Sequence, residues 1–264
     1  PRIVKIGFIL ILVGYGTKAG LAPMHTWLPD AHSQAPTPVS AVFSGILLNC
    51  AMYCITRFLP IVAASTGDAG WAQELMIGFG LVSMSIAAVF ILIQRDLKRF
   101  LAYSSVEHMG IISVGMGLGP AGAFAALYHT LNHSICKPLA FFCAGRMAQD
   151  HDTRDMDKIS GGIARSPVCG VGLLFSILVL IGCAPFSIFM SEFLIVRSAV
   201  SCGRMAAVAV FLLATVAIFS GALKHIIHMS YGETQAYPSH ANVSEGRIIR
   251  GLVGAMLMAL MVLG

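Results

Sequence analysis

Residues 121–147, AGAFAALYHTLNHSICKPLAFFCAGRM, form an apolar run that is long enough to cross a bilayer as one helix. The run contains His129, His133 and Lys137, each four residues from the next. Because residues four apart are neighbours on a helix, the three side chains form one polar stripe. A lysine at bilayer depth costs roughly 2.5–3.5 kcal/mol, and such residues occur mainly where they face a bundle interior or a hydrated cavity. The stripe therefore favours proton conduction as the first hypothesis.

The composition of the whole chain indicates a polytopic membrane protein. Hydrophobic residues make up 57% of the 264 residues and charged residues 11%, with a mean hydropathy of +0.82. Soluble domains carry about 25% charged residues. The net charge of +5 is interpreted as a signal of membrane orientation, because no stretch combines charge with stacking aromatic residues as a nucleic-acid groove requires. We expect a lipid bilayer around the chain and no nucleic-acid partner.

Hydropathy predicts seven complete spans and one truncated span, each near the ~20 residues that a transmembrane helix needs. The first span is expected to continue past a break into 24–31. Pro38 suits the first turn of the second span, and Asp96 suits the N-cap of the fourth. The predicted fold is an all-α membrane helix bundle of about eight transmembrane helices. The spans run approximately over 3–23, 38–59, 74–94, 98–117, 121–147, 168–197, 205–229 and 248–264.

Basic residues in the connections are concentrated on one side of the predicted bundle. By the positive-inside rule that side is cytoplasmic, although the connection 24–37 on the same side has no Lys or Arg. The chain begins at Pro1 without a Met and stops at Gly264 inside an apolar run, so we expect a piece of a longer protein. The basic side holds the connections 95–99, 146–166 and 224–250, with Arg95, Lys98, Arg99, Arg146, Arg154, Lys158, Arg165, Lys224, Arg247 and Arg250; the other side holds Arg57, Arg197 and Arg204.

Four strongly ionisable residues are predicted at membrane depth, namely Lys18, Glu107, Lys137 and Glu192. Two bases and two acids give a nearly neutral interior, as the burial of charge requires. A buried lysine beside a carboxylate can gain and lose a proton near neutral pH, because desolvation and the opposite charge act against each other. Helix-breaking residues lie near three of the four: Pro23 near Lys18, Pro138 beside Lys137, and Gly182 with Pro185 before Glu192.

Each candidate residue also has a structural interpretation. Lys18 or Glu192 could extend to the membrane interface, since each lies near the end of a span. Glu107 could be a hydrogen-bonded structural acid. His129 and His133 could be satisfied core residues, although Lys137 on the same stripe favours a functional role.

Two further polar residues and the cysteines complete the candidates. Asn49, within LLNCAMY, is either a polar link in a water chain or a hydrogen-bonding residue between helices. His108 is expected to point elsewhere on its helix and is interpreted as a packing residue. The seven cysteines show no CxxC spacing and are interpreted as buried thiols, and no cofactor or metal site is predicted. Because GxGxxG and P-loop motifs are also absent, the energy for transport must come from partners.

Four stretches resemble the antiporter-like proton-translocating subunits of respiratory complex I, Mrp antiporters and membrane-bound NiFe hydrogenases. SSVEHMG and GILLN are most similar to the component F branch of hydrogenase-4. The stretches are GTKAGLAPMHTWLPDAHSQAPTPVSAVFSGILLN (16–49), QRDLKRFLAYSSVEHMG (94–110), HTLNHSICKPLAFF (129–142) and APFSIFMSEF (184–193).

The resemblance implies about fourteen helices in inverted repeats, with residues 1–264 as the C-terminal part of one proton-translocating domain, from the seventh helix onward. Lys18 matches the lysine of the broken seventh helix and Lys137 that of the eleventh, with His129 and His133 as connecting histidines. Glu192 matches the exit residue of the broken twelfth helix. The implied partners are other membrane subunits and a peripheral hydrogenase or dehydrogenase module, in the cytoplasmic membrane of a prokaryote.

The chain departs from the family pattern at two places. The glutamate that pairs with Lys18 in the family belongs to the fifth helix, upstream of Pro1. Asn49 stands where many relatives carry a lysine or histidine, and an asparagine cannot carry a net proton unless ordered water bridges the gap.

The combined hypothesis is a membrane subunit that moves protons while a partner performs the redox chemistry. Lys18 would load from the cytoplasmic side, Lys137 would respond through His129 and His133, and Glu192 would release outward. The rivals are a Na⁺/H⁺ antiporter subunit, a non-conducting scaffold, and a cytochrome with haem on His129 or His133. Two histidines four apart on one helix cannot clamp a haem from opposite faces, which disfavours the last.

Overall fold

The computed structural model describes residues 2–232 and 246–264, and over those residues its regular secondary structure is helical, apart from an isolated bridge between Asp96 and Asp155. The predicted all-α class is confirmed. The middle of the predicted connection 224–250 lies outside the described residues. The helices are α1 (Arg2–Ala19), α2 (Trp27–Gln34), α3 (Thr37–Val42), a π-helical segment (Phe43–Leu47), α4 (Leu48–Thr66), α5 (Gly70–Ile93), α6 (Leu97–Gly117), α7 (Gly119–Asp150), α8 (Gly162–Arg165), α9 (Pro167–Leu180), α10 (Ser187–Ser201), α11 (Met205–Tyr231) and α12 (Arg247–Val262).

The predicted spans coincide with these helices to within four residues at their ends, except that the second span was predicted to end at residue 59 and α4 continues to Thr66. Among the described residues, three continuous helical stretches are long and apolar enough to cross a membrane: Thr37–Thr66, Gly70–Ile93 and Met205–Tyr231. Among the described residues the helices outnumber the predicted spans for three reasons: the first and sixth spans are broken into α1 with α2 and α9 with α10, the π-helical segment divides the second span into α3 and α4, and one connection contains the short helix α8. The predicted N-cap of α6 is confirmed, since the Asp96 carboxylate accepts a hydrogen bond from the Arg99 amide at 2.8 Å.

The two helix breaks have the same local sequence, Gly-x-Ala-Pro, at 20–23 and at 182–185. Gly20 and Gly182 adopt the left-handed conformation, with φ of 77° and 67°. In each case the glycine amide bonds the carbonyl three residues before it, and the next amide bonds the carbonyl five residues before itself. This is the Schellman motif, which ends a helix by satisfying its last carbonyl groups. The breaks predicted near Lys18 and Glu192 are therefore present, whereas α7 continues unbroken through Pro138.

Helix α6 lies at the centre of the bundle. It packs against α2, α5, α7 and α10, and nearly all of its residues from Leu97 to Gly117 are buried. When a helix is surrounded by other helices, each of its polar residues faces another helix, whichever direction it points from the helix axis. Glu107 and His108 are both buried for this reason, although they point in different directions from α6.

The π-helical segment brings α4 against α7. A Cβ atom on Gly45 would lie 2.5 Å from Cγ of Pro138, so this contact requires a glycine. The close approach places Asn49, one helical turn beyond Gly45, next to the polar stripe of α7. A π-helical turn is a local widening of the helix and is frequent at functional sites.

Candidate proton-transfer site

Lys137 is completely buried in the bundle and faces α6. Its ammonium group donates to the Leu101 carbonyl at 3.0 Å and to the Ser104 hydroxyl. Both acceptors are uncharged, so the lysine is solvated by dipoles instead of being fixed in a tight ion pair. The carboxyl group of Glu107 is close enough to interact with it electrostatically.

His133 lies one turn before Lys137 and is held by Asn49. The Asn49 amide nitrogen lies 3.2 Å from Nδ1 of His133, 2.7 Å from the Ser134 hydroxyl and 2.8 Å from the Gly45 carbonyl. An amide nitrogen has two hydrogens, so at most two of these contacts are full hydrogen bonds at one time. Asn49 therefore contacts the stripe directly and can orient the His133 ring.

His108 on α6 and His129 on α7 are hydrogen-bonded to each other beside His133. Nδ1 of His108 lies 2.9 Å from Nε2 of His129, and Nδ1 of His129 lies 2.9 Å from the Ser191 hydroxyl on α10. The ring centroids of His108 and His133 are 5.2 Å apart. His108, interpreted from the sequence as a packing residue, thus joins the two histidines of the α7 stripe.

Glu192 continues this arrangement on α10, beside Ser191. Its carboxylate packs directly against Gly182 at the helix break. One polar atom each of His108, His129 and Glu192 lies within 4.8 Å of the other two. A transition-metal ion would accept this spacing, but the direct bond between the two imidazole rings is equally the geometry of a pair that shares a proton.

Four buried polar atoms on the ionisable side chains of this cluster have no hydrogen-bond partner among the described residues: Glu107 Oε2, His108 Nε2, His133 Nε2 and Glu192 Oε1. Buried polar groups in proteins are nearly always bonded to protein or to ordered water. Four such atoms in one cluster provide the hydrogen-bonding sites that a short chain of water molecules needs.

The predicted site residues are therefore not all brought together. Lys137, His129, His133, Glu192, Glu107 and Asn49 lie around the contact of α6 with α7, whereas Lys18 is exposed in the last turn of α1, before the first break. Both ring nitrogens of His129 are already hydrogen-bonded, so an axial bond to haem would have to break one of those contacts.

Sequence reasoning missed His108 and the serines that serve the cluster. The hydroxyl of Ser104 accepts a hydrogen bond from Lys137, and the hydroxyl of Ser191 lies 2.9 Å from Nδ1 of His129. His108 belongs to the family motif SSVEHMG, so the sequence marked the segment as important, but its position on α6 did not indicate that it contacts His129. Nothing in the sequence marked the serines, since serine is common in membrane helices.

An all-helical membrane bundle that buries a lysine, three histidines and two carboxylates beside broken helices is typical of ion-translocating membrane proteins. The chain belongs to the family described as NADH:quinone oxidoreductase/Mrp antiporter, TM, whose model matches residues 3–218. This membership confirms the resemblance seen in the four sequence stretches.

Individual relatives place the chain near the hydrogenase-4 branch. It is 45% identical over 232 residues to the hydrogenase-4 component F homolog of Methylacidiphilum infernorum (isolate V4). The aligned region covers 88% of this chain and 48% of that protein. It is 33% identical over 230 residues to hydrogenase-4 component B of Escherichia coli (strain K12), covering 83% and 34%. The chain spans about half the length, or less, of these two relatives.

A solved structure supports the same fold. A chain in the membrane-bound sulfane sulfur reductase, described as an archaeal respiratory membrane complex, superposes with a TM-score of 0.89 at 26% identity. The superposition covers 99% of this chain and 53% of that one.

Proposed function

We propose that this chain is the C-terminal part of a proton-translocating membrane subunit of a redox-driven complex, of the hydrogenase-4 or NADH:quinone oxidoreductase type. The proposal rests on one observation, the buried file that runs from Lys137 through His133, His108 and His129 to Glu192. Its support comes from the family, whose members include redox complexes and antiporters, and from relatives named as hydrogenase-4 components.

Protons pass along this file by exchange between neighbouring groups. A neutral imidazole accepts a proton on one nitrogen and releases one from the other, so His108 and His129 can relay a proton through their shared bond. Lys137 and His133 are one turn apart on α7, about 6 Å along the axis, a distance that one water molecule bridges. Glu192 receives the proton at the far end, beside Ser191.

Asn49 has an orienting role in this scheme. It holds His133 through Nδ1, which directs Nε2 of that ring towards the interior of the cluster. The proton itself moves over the histidines and water, so an uncharged residue at position 49 is sufficient. Glu107 balances the charge of Lys137 when the lysine is protonated.

The energy for outward proton transport must come from outside these residues. A potential of 100 mV opposes each outward-moving charge by about 2.3 kcal/mol. We propose that other membrane subunits and a peripheral hydrogenase or dehydrogenase module provide that energy, and that Lys18 receives it as the loading residue at the break of α1. The complex would lie in the cytoplasmic membrane of a prokaryote, with the basic connections inside.

The test compares Lys137→Arg with Lys137→Ala in the full-length protein within its complex. Arginine keeps the positive charge but does not release its proton, because its pKa exceeds 12. Both variants should assemble and should lose proton translocation per electron by about tenfold or more. The exposed Lys158→Ala, in a basic connection, is the matched control and should translocate normally.

The alternatives predict different outcomes. A scaffold whose buried charge only fixes the helices loses assembly with Lys137→Ala but pumps normally with Lys137→Arg. A Na⁺/H⁺ antiporter subunit, the second candidate favoured by the family description, shows sodium-dependent proton flux in vesicles without an electron donor. Normal pumping by Lys137→Arg contradicts the proposed function.

A further inference from the structure

A cavity of about 750 Å³ opens on the basic side of the molecule, above Lys137. Its lining includes Gln34, Lys98, Gly145, Gln149 and Asp152, from the end of α2, the start of α6 and the last turns of α7. The cavity is large enough for many water molecules, since each occupies about 30 Å³ in the liquid. It contains a carboxylate, Asp152, that can collect protons from solution.

His32 lies next to the cavity, two residues before the lining residue Gln34. Its side chain is 1% exposed, and neither of its ring nitrogens has a hydrogen-bond partner among the described residues. The ring stacks on Phe141 with a centroid distance of 5.0 Å and an interplanar angle of 25°. A histidine that served only for packing would need no polar atoms, whereas this one keeps both a donor and an acceptor available.

One face of α7 orders these features along the membrane normal. Lys137, Phe141, Gly145 and Gln149 are each four residues apart, so they lie above one another on the same side of the helix. Each step rises about 6 Å, so the cavity floor at Gly145 is about 12 Å above Lys137. The His32 ring, stacked on Phe141, occupies the level halfway between them.

Two cations fix the segment that carries His32. Lys98 donates to the Ala35 carbonyl at 3.0 Å, and Arg154 donates to the Ser33 carbonyl at 2.5 Å. The His32 carbonyl itself accepts a bond from Ser40 at 3.2 Å. The ring is thus held in place by contacts of the backbone, without any bond to its nitrogens.

The electrostatic surroundings keep His32 neutral at rest. Its ring is buried and is acted on by the positive charges of Lys137 and Lys98, both of which oppose its protonation. A neutral ring can transfer a proton between water on its two sides without storing the charge. Because the charge of Lys137 repels a proton on His32, loss of the lysine proton makes it easier for His32 to accept the next one.

We propose that His32 carries protons from this cavity to Lys137, as a direct uptake route on the basic side. The proposal rests on the proposed function, because it assumes that Lys137 exchanges protons. It adds a route that does not pass through Lys18, which is exposed on α1 whereas the file is buried.

His32→Phe tests the route in the full-length protein within its complex. Phenylalanine preserves the stacking on Phe141 but cannot transfer a proton. We expect normal assembly and a loss of proton translocation per electron of about tenfold. The matched control is His225→Phe, a partly buried histidine on α11 near Phe100 that lies outside the file and should translocate normally.

A second variant decides the matter if His32→Phe does not assemble. His32→Ala leaves a space beside the cavity, and added imidazole should restore at least part of its proton translocation. Wild-type pumping by either assembled variant, or no rescue by imidazole, overturns the uptake route. Failure of the proposed function is distinguishable, because then Lys137→Arg also pumps normally.

Discussion

His108 and His129 share a hydrogen bond across the interface of α6 and α7. Neither residue forms an ion pair within the described part of the chain, so their contact joins two neutral rings instead of a ring and a carboxylate. Such a pair can exchange tautomers when a proton enters at one side and leaves at the other. This makes His108 as important to the file as His129.

We therefore expect His108→Phe to stop translocation while the complex still forms. The phenyl ring fills the same space among His129 and His133 but cannot accept or donate a proton. Proton translocation measured in energised vesicles should fall by about tenfold or more. Ser113→Ala, a buried change on the same helix that removes only the hydrogen bonds to the carbonyl oxygen and the sulfur of Met76, provides the comparison and should pump normally.

If His108→Phe and Ser113→Ala translocate equally well, then His108 is the packing residue that the sequence suggested.

The histidines show which features of the site can be predicted from the sequence and which cannot. Spacing of four residues identified the stripe of α7 because a helix has a fixed period. The partner of that stripe could not be found, because α6 is covered on all sides and its phase marks no special face.

At the scale of helices, the breaks and boundaries were the most predictable features. Glycine and proline encode them locally, as the repeated Gly-x-Ala-Pro shows. Contacts between helices were not predictable from local sequence: Asn49 meets His133 only because Gly45 lets α4 approach Pro138. Likewise, the continuation of the first span was expected to end at residue 31, one residue before His32, and the buried histidine was therefore missed.

Gly45→Ala should separate α4 from α7. The new methyl group would lie 2.5 Å from Pro138 Cγ, so the helices must move apart, at a cost of about 1–3 kcal/mol. We expect a lower melting temperature in detergent and weaker proton translocation, because Asn49 moves away from His133. Gly78→Ala on α5 meets no atom within 4 Å and should change neither quantity; equal effects of the two substitutions would contradict this account of the contact.

For the whole molecule, two ion pairs mark the ends of α5. Arg204 pairs with Glu74 near its start, and Arg95 pairs with Asp157 beyond its end, at 3.7 Å. About twenty helical residues separate them, or about 30 Å, which is the thickness of a bilayer core. The chain thus has two polar boundaries, of which the one with Arg95 belongs to the side rich in basic residues.

The orientation can be tested by labelling from one side. Lys158→Cys reports on the basic side, and the native Cys202, close to Arg204, reports on the other, because Cys202, like Cys50, is exposed and not buried as the sequence had suggested. With the other six cysteines replaced by serine, an impermeant maleimide added to intact cells should label Cys202 alone, because basic connections stay in the cytoplasm. Labelling of Lys158→Cys but not of Cys202 would reverse the orientation and the direction assigned to the cavity.

The separation of these two ion pairs also makes the protein sensitive to lipid length. Hydrophobic mismatch costs fractions of a kcal/mol for each ångström. In a thicker bilayer one of the pairs is drawn into hydrocarbon, whereas in a thinner one the bundle must tilt. Acyl chain length would thus control the proposed proton transport without any change in the polypeptide.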